Sequence, residues 1–283
     1  MNLEPMQKAA VLIEALPYIQ RFNRKIVVVK YGGSAMVDEE LKKKVIQDVV
    51  LLKLVGFKPI IVHGGGKEIS RWVGKVGMEP HFVNGLRVTD EPTMEIAEMV
   101  LNKVNKSLVQ LVNELGIKAV GISGKDGGLL TAVEKDPALG RVGSITRVEP
   151  RILQTLLDGD FLPVVSPIAA GEDGGGFNCN ADDAARAVAA ALGADKLIFL
   201  TDTAGVLIDS HNSKTAVPHM DVKRAEELID TGLIAGGMVP KVRGCLDAIA
   251  GGVGEVSILD GRGEHALLLD MLGQRVAGTT ITK

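Results

Sequence analysis

Six short runs of β-branched and aliphatic residues, at 26–30, 59–63, 119–123, 161–166, 196–201 and 255–260, are nearly unbroken in their apolarity and give way to glycine or a small polar residue. A strand that alternates polar and apolar has one wet face, whereas runs apolar on both faces suit a parallel sheet covered on both sides. Helical spacing separates most of them, at 38–55, 67–76, 91–115, 150–157, 182–192, 222–230 and 239–250. This alternation predicts an α/β protein, a three-layer αβα sandwich with a largely parallel central sheet. Gly56 after Val55 and Gly116 after Leu115 stand where helices end on a left-handed residue. With 283 residues, 46% of them apolar, the chain has enough material for one large domain or two lobes.

Two stretches break the rhythm. Residues 130–148 alternate like a hairpin around Asp136-Pro137, and 207–220 make a polar excursion through His211-Asn212-Ser213; both are expected as flaps or rims beside the sheet. No repeat or flexible linker divides the chain, so any two lobes share a continuous sheet. Residues 3–22, ahead of the first strand, carry an apolar stripe at Met6, Ala10, Ile13 and Leu16, with Pro17 marking a kink. That stripe is buried either on its own domain or against another subunit.

Charge narrows the function. The 32 basic and 35 acidic residues leave a net charge of -3, which offers no general attraction to nucleic acid or to an anionic membrane. The two cysteines, Cys179 and Cys245, have no metal-ligand spacing and read as buried apolar residues of a reduced compartment. No run of about 18 apolar residues occurs, and a signal-peptide core is missing, so a soluble, cytoplasmic protein is expected.

The strand ends carry Lys30-Tyr31-Gly32-Gly33, His63-Gly64-Gly65-Gly66, Ser123-Gly124-Lys125-Asp126-Gly127-Gly128 and Thr201-Asp202-Thr203-Ala204-Gly205. Ligands of open parallel sheets sit beyond the carboxyl ends of the strands. Glycine there lets backbone N–H groups approach an oxyanion, and a following helix N-terminus adds partial positive charge. Neither G-x-x-x-x-G-K-[ST] nor a strand-following G-x-G-x-x-G occurs, which disfavours a P-loop NTPase or a dinucleotide-binding dehydrogenase. Phosphoryl transfer by positioned lysines and glycine amides remains, with Lys30 at a strand end and Lys241 after Pro240 as clamps for the phosphoryl group. Arg87, in Asn84-Gly85-Leu86-Arg87, either forks onto a carboxylate or makes a surface salt bridge. Asn178 and Asn180 lie on one side of an extended stretch; Asn180 or Asp182 either caps the next helix or serves the site, Asp182 by holding the two lysines. The histidines form no zinc-type pair, and His63 reads as structural.

These residues resemble the amino-acid kinase family along essentially the whole chain, through VVVKYGGSAM (27–36), IVHGGGKEI (61–69), NGLRVTD (84–90), GISGKDGGLL (121–130), NCNADDAA (178–185), LTDTAGVL (200–207), GMVPKV (237–242) and GTTI (278–281). Within it the chain looks like the branch that phosphorylates the side-chain carboxylate of N-acetyl-L-glutamate in arginine biosynthesis. The resemblance implies Lys30 and Lys241 stabilising the transferring phosphoryl group with Asp182 orienting them. It implies Gly65, Gly66, Arg87, Asn178 and Asn180 on the acyl amino acid, and Gly32, Gly33, Thr201, Asp202, Gly205 and Met238 on ATP. Mg²⁺ would arrive with ATP and be held mainly by phosphates, with no protein metal cage. It further implies an N-terminal oligomerisation helix over 1–23, an acyl-binding lobe over 24–195 and an ATP lobe over 196–283. EALPYIQRF (14–22) is similar to the extension of arginine-inhibited members, where such helices interlace dimers into a hexamer, a trimer of dimers. Tyr18, His265 and Asp270 would then line the arginine site, although Asp270 stands where the family usually has Glu and Val276 where it has Gly. Relatives phosphorylating aspartate, glutamate or carbamate, or a non-catalytic arginine sensor, are the rival readings.

Overall fold

The computed structural model describes residues 4–209, 215–273 and 278–283; Val276 and His211-Asn212-Ser213 lie outside these. The chain runs α1 (Pro5–Phe22), β1 (Ile26–Tyr31), α2 (Glu39–Leu54), β2 (Lys58–His63), α3 (Gly66–Lys75), the small hairpin β3 (Phe82–Val83) and β4 (Leu86–Arg87), α4 (Glu91–Glu114) and β5 (Ala119–Ser123). It continues through β6 (Leu130–Glu134), β7 (Val142–Val148), α5 (Arg151–Asp158), β8 (Leu162–Ser166), β9 (Ile168–Gly171), β10 (Gly176–Cys179) and α6 (Ala181–Ala191). Last come β11 (Lys196–Thr201), β12 (His219–Asp221), α7 (Val222–Asp230), α8 (Met238–Ala250), β13 (Glu255–Asp260), α9 (Ala266–Met271) and β14 (Gly278–Thr282).

The expected sandwich is present. Eight strands form one sheet in the order β12-β14-β13-β11-β1-β2-β8-β5. All neighbours in it are parallel except β13 and β14. The side chains of β1 alternate between faces, as a strand covered twice requires. Val27 and Val29 belong to the apolar layer that holds Val49 of α2, Leu108 and Val112 of α4 and Leu267 of α9, while Val28 belongs to the opposite layer with Leu153 of α5, Val188 of α6, Ala225 of α7 and Val242 of α8. Because β1 pairs with β2 on one side and β11 on the other, with Lys30 opposite Val62 and Phe199, the sheet crosses the middle of the molecule without a break. The loops after β1, β2 and β11 therefore emerge side by side.

Local signals hold at the helix ends. The Asp38 carboxylate accepts the N–H groups of Glu40 and Leu41 to start α2, and Gly56 (φ 103°) and Gly116 (φ 84°) follow α2 and α4 in the left-handed region. The 130–148 hairpin forms as β6 and β7, but it is not a free flap. With β9 and β10 it closes into a four-stranded barrel, which leaves no hairpin edge unpaired. β9 and β10, of four residues each, are too short to announce themselves.

α1 remains a single helix through Pro17, which forgoes only one intrahelical bond. Its end is anchored by the Phe22 ring stacked on Phe57 at 5.8 Å and by Arg21 paired with Glu255 at 2.8 Å. The stripe itself is not buried on its own domain, since Met6, Ile13 and Leu16 are exposed. Both cysteines are free and buried, and among the described residues no helix is long and apolar enough to cross a membrane.

The face between the sheet and α4 gives a stability test. Leu108 is fully buried there, so Leu108→Ala should lower unfolding free energy by about 2–5 kcal/mol without changing the far-UV circular dichroism of the native state. A denaturant titration measures this, and a loss below ~1 kcal/mol would mean that α4 is not packed as described.

Candidate active site

Two distant lysines converge above the sheet. Lys30 closes β1, and its Nζ lies 3.0 Å from the Asp182 carboxylate at the start of α6. α6 is opened by Asn180, whose side-chain oxygen accepts the N–H groups of Asp182 and Asp183 at 2.8 and 3.3 Å. Asn180 is thus the cap, which leaves the Asp182 side chain free to face Lys30. Lys241, in the first turn of α8, is half-buried. Burial pulls its pKa below the ordinary lysine value; Asp182 opposes that shift, while the charge of Lys30 adds to it. Lys241, Asp182, Asp183 and Asn180 share the wall of a cavity of about 330 Å³, together with Gly85, Leu86 and Pro240.

A second cavity, of about 200 Å³, adjoins the first through the shared wall residues Gly85, Leu86 and Asn180. Gly65, Gly66, Arg87, Asn178 and Asn180, all singled out in the sequence, line it together. Arg87 is no surface salt bridge. Its Nη2 donates to the Gly66 carbonyl and the Ser70 hydroxyl, both at 2.7 Å, and its guanidinium lies 4.7 Å from the centre of the Phe82 ring. Nη1 is buried with no protein acceptor, and burial lowers the arginine's proton affinity. A buried guanidinium missing an acceptor is a costly state that an anionic oxygen would relieve. Asn178 donates to Thr89 Oγ1 at 3.3 Å. Among the described residues that wall this cavity there is no Asp or Glu.

The glycine loops have specific steric reasons. A Cβ on Gly32 would come within 2.6 Å of Lys30 Nζ, and one on Gly65 within 2.6 Å of Leu101 Cδ2. Gly33 combines φ 76° with the Asp202 carboxylate 2.6 Å from where its Cβ would be. The loop after β2 is steadied from below by His63, which is wholly buried. Its Nδ1–H donates to the Gly64 carbonyl at 2.8 Å, and Nε2 accepts from Asn105 at 3.1 Å. Burial pushes its pKa down to about 4, so the ring is neutral and structural.

Of the residues expected on the nucleotide side, Asp202 accepts the Ser34 N–H at 2.7 Å and the Ser34 hydroxyl at 2.9 Å. Burial raises its pKa, but Ser34, with Lys67 and Arg262 nearby, outweighs this and holds it below the usual carboxylate range. Thr201 Oγ1 bonds within its own loop to Thr203. Gly205 (φ 88°) is pressed against Gly278 and Thr279 of β14, so its missing Cβ serves packing within the chain. Met238 opens α8, one turn before Lys241. Among the described residues no group of three His, Cys, Asp or Glu side chains is arranged to hold a metal ion.

The residues expected around arginine are only partly brought together. Asp270 lines a cavity of about 580 Å³ with Arg21, Lys196, Glu255 and Gly273. Lys196 Nζ joins Glu255 at 2.6 Å and Asp270 at 2.8 Å, and Arg21 joins Glu255 at 2.8 Å. The Tyr18 ring lies against Gly273, where a Cβ would meet Cε1 at 2.9 Å. His265 is elsewhere, at the start of α9 with φ 56° and its Nδ1 2.6 Å from the buried Asp48 carboxylate of α2. Lys196 and Glu255 were missed in the sequence. Their signal was a charge at the first position of two apolar strands, which the register places opposite each other.

Residues 25–260 match the Amino acid kinase family. The acetylglutamate kinase of Alkaliphilus metalliredigens is 50% identical over 283 residues, covering 100% of this chain and 90% of that protein. The acetylglutamate kinase of Campylobacter jejuni subsp. doylei is 52% identical over 276 residues, with 98% of each covered. Among solved structures, the N-acetylglutamate synthase of Neisseria gonorrhoeae, complexed with coenzyme A and N-acetyl-glutamate, superposes with a TM-score of 0.84 at 26% identity. That match covers 97% of this chain, which spans only 63% of the synthase.

The cluster can be probed without assuming a reaction. Lys241 should titrate below the ordinary lysine range, and Asp182→Asn should move it lower still, because Asp182 is the group that raises its proton affinity. Lysine-selective NMR titration reads both; an unmoved Lys241 midpoint in Asp182→Asn would show that the carboxylate does not face it.

Proposed function

The chain belongs to the amino acid kinase family, and on that premise we propose that it transfers the γ-phosphoryl group of ATP to the side-chain carboxylate of N-acetyl-L-glutamate. The observation that carries the reading is the pair of adjoining cavities. One offers a buried arginine with a free N–H and no carboxylate in its wall; the other holds the Lys241 and Asp182 side chains, with Lys30 paired to Asp182. Arg87 takes the α-carboxylate of the substrate, and Asn178, Asn180 and the Gly65-Gly66 backbone orient it. A free α-ammonium would find no counter-charge in that wall, whereas an acetylated nitrogen needs none.

The chemistry asks little of a base. The attacking carboxylate is already ionised at neutral pH, so no proton has to be removed. Its oxygen approaches the γ-phosphorus in line with the departing bridging oxygen of ADP, and catalysis consists of alignment and charge neutralisation. Lys30 and Lys241 hold the equatorial oxygens from two sides, and Asp182, paired with Lys30 and favouring the charged form of Lys241, orients the two ammonium groups. The Gly32 and Gly33 amides, with Thr201, Asp202, Gly205 and Met238, serve the nucleotide. Mg²⁺ would enter with ATP and would supply further charge neutralisation there. On this reading residues 24–195 form the acyl amino-acid lobe and 196–283 the ATP lobe.

The enzyme works in the cytoplasm, in arginine biosynthesis, and is inhibited by arginine. The cavity beside α1 supports that last point, because Asp270, Glu255 and Phe22 line it and Tyr18 lies behind its wall residue Gly273. The exposed stripe of α1 supports assembly into a hexamer through helix pairing. Since the cavity lies at the root of α1, arginine there would bias how that helix leaves the body.

A hydroxylamine trap with ATP should yield hydroxamate from N-acetylglutamate and far less from glutamate. A preference for glutamate would overturn the substrate assignment, and no hydroxamate from either would overturn the kinase reading. Lys241→Ala should lower kcat by ~100-fold or more while N-acetylglutamate affinity changes much less. Arginine should raise the half-saturating N-acetylglutamate concentration in the wild type and do so less in Tyr18→Ala; equal inhibition of both would exclude α1 from the effect.

A further inference from the structure

The loop after β1 carries an ammonium group at each end. At Gly32 it is Lys30, whose Nζ fills the space of the absent Cβ. At Ser34 it is Lys67, the second residue of α3, whose Nζ donates to Ser34 Oγ at 3.0 Å. Between them the Asp202 carboxylate accepts both the Ser34 N–H and the Ser34 hydroxyl, at 2.7 and 2.9 Å, with Gly33 giving it room. An oxyanion held by a loop amide and a hydroxyl, with an ammonium one bond beyond, is the arrangement that a phosphate oxygen seeks. In this structure a side chain of the protein occupies it.

Lys67 differs from its basic neighbours. It shares a cavity wall with Lys42, Arg71 and Lys103, but those three are paired with Glu39 or Glu68, whereas among the described residues Lys67 makes no ion pair. Its ammonium is exposed and free to follow an incoming anion. Lys30, Asp182 and Lys241 lie toward the acyl cavity, where the transferring group must go. The Ser34 end of the loop is left for the phosphate that stays behind.

We propose that Lys67 is a nucleotide-binding residue. Together with the amide and hydroxyl of Ser34, its ammonium takes the β-phosphate of ATP, displacing the Asp202 carboxylate from that seat. This rests on the kinase reading above and adds a third cation to it. In the transfer, the bond from the γ-phosphorus to the bridging oxygen breaks as the bond to the substrate carboxylate forms. The electron pair stays on the bridging oxygen, so negative charge builds on the β-phosphate, where Lys67 stands.

Isothermal titration calorimetry with ADP and with AMP, each without the second substrate, tests this apart from turnover. Lys67→Met should weaken ADP binding by ~10-fold or more, as loss of a charged hydrogen bond does, and leave AMP binding within about twofold. Lys67→Arg, which keeps the charge, should recover most of the ADP affinity. Because the side chain is exposed, Lys67→Met should melt with the wild type. Wild type that binds ADP beside a Lys67→Met variant that binds it equally well overturns this proposal alone, as does an equal loss for AMP. Wild type that binds no ADP overturns the kinase reading with it.

Discussion

Two like charges cannot be held together in a partly dry cleft without a third charge between them, and in this protein that third charge is the Asp182 carboxylate. Lys30 arrives on a central strand and Lys241 on the first turn of a helix from the far half of the chain. Burial already works against the protonated form of Lys241, and Lys30 makes it worse. Asp182 offsets both effects, and it can do so because Asn180, not Asp182, caps α6. The division of labour within Asn180-Ala181-Asp182 therefore sets the geometry of the whole cleft. A single acidic residue at that point would have to choose between the helix amides and the lysine.

The rest of the architecture brings surfaces to that cluster. Parallel order places the loops after β1, β2 and β11 next to each other, so glycine amides from separate strands face one space. The four-stranded barrel and the β3–β4 hairpin add the roof. β10 ends in the Asn178-Cys179-Asn180 stretch that forms one wall, and the hairpin supplies Gly85, Leu86 and the Phe82 ring over Arg87. Rigidity comes from beneath, where neutral His63 and Asn105 tie the Gly64 carbonyl to the sheet. Binding loops on a stiff scaffold can be both open and well aimed.

A second concentration of charge lies at the opposite ends of the same strands. Lys196, almost wholly buried, is held between Glu255 and Asp270, with Arg21 of α1 closing the chain. Removing Lys196 would leave the Asp270 carboxylate without its cation in a dry place, a costly state, whereas Arg21 is mostly exposed. This network joins the root of α1 to the first residues of β11 and β13, the ends of those strands opposite the Thr201 loop.

What the sequence by itself determined was local. The doubly apolar runs specified β1, β2, β5, β8, β11 and β13, because burial on both faces leaves an unmistakable pattern, and glycine and Asp-Asn punctuation specified where α2, α4 and α6 begin or end. The motifs also picked out residues that the fold gathers, Gly65, Gly66, Arg87, Asn178 and Asn180 around one cavity and Lys30 beside Asp182. Tertiary structure alone decided which distant partner each charged residue took: Asp182 for Lys30, and the Gly66 carbonyl and Ser70 over a surface acid for Arg87. It decided likewise that His265 faces Asp48 away from the α1 cavity, that Gly205 packs against β14, and that the 130–148 hairpin closes with β9 and β10. The physical reason is common to all of these. Hydrogen bonds and ion pairs act over a few ångströms between groups far apart in the chain, and no periodicity along the chain encodes which pairs the folded sheet will bring that close.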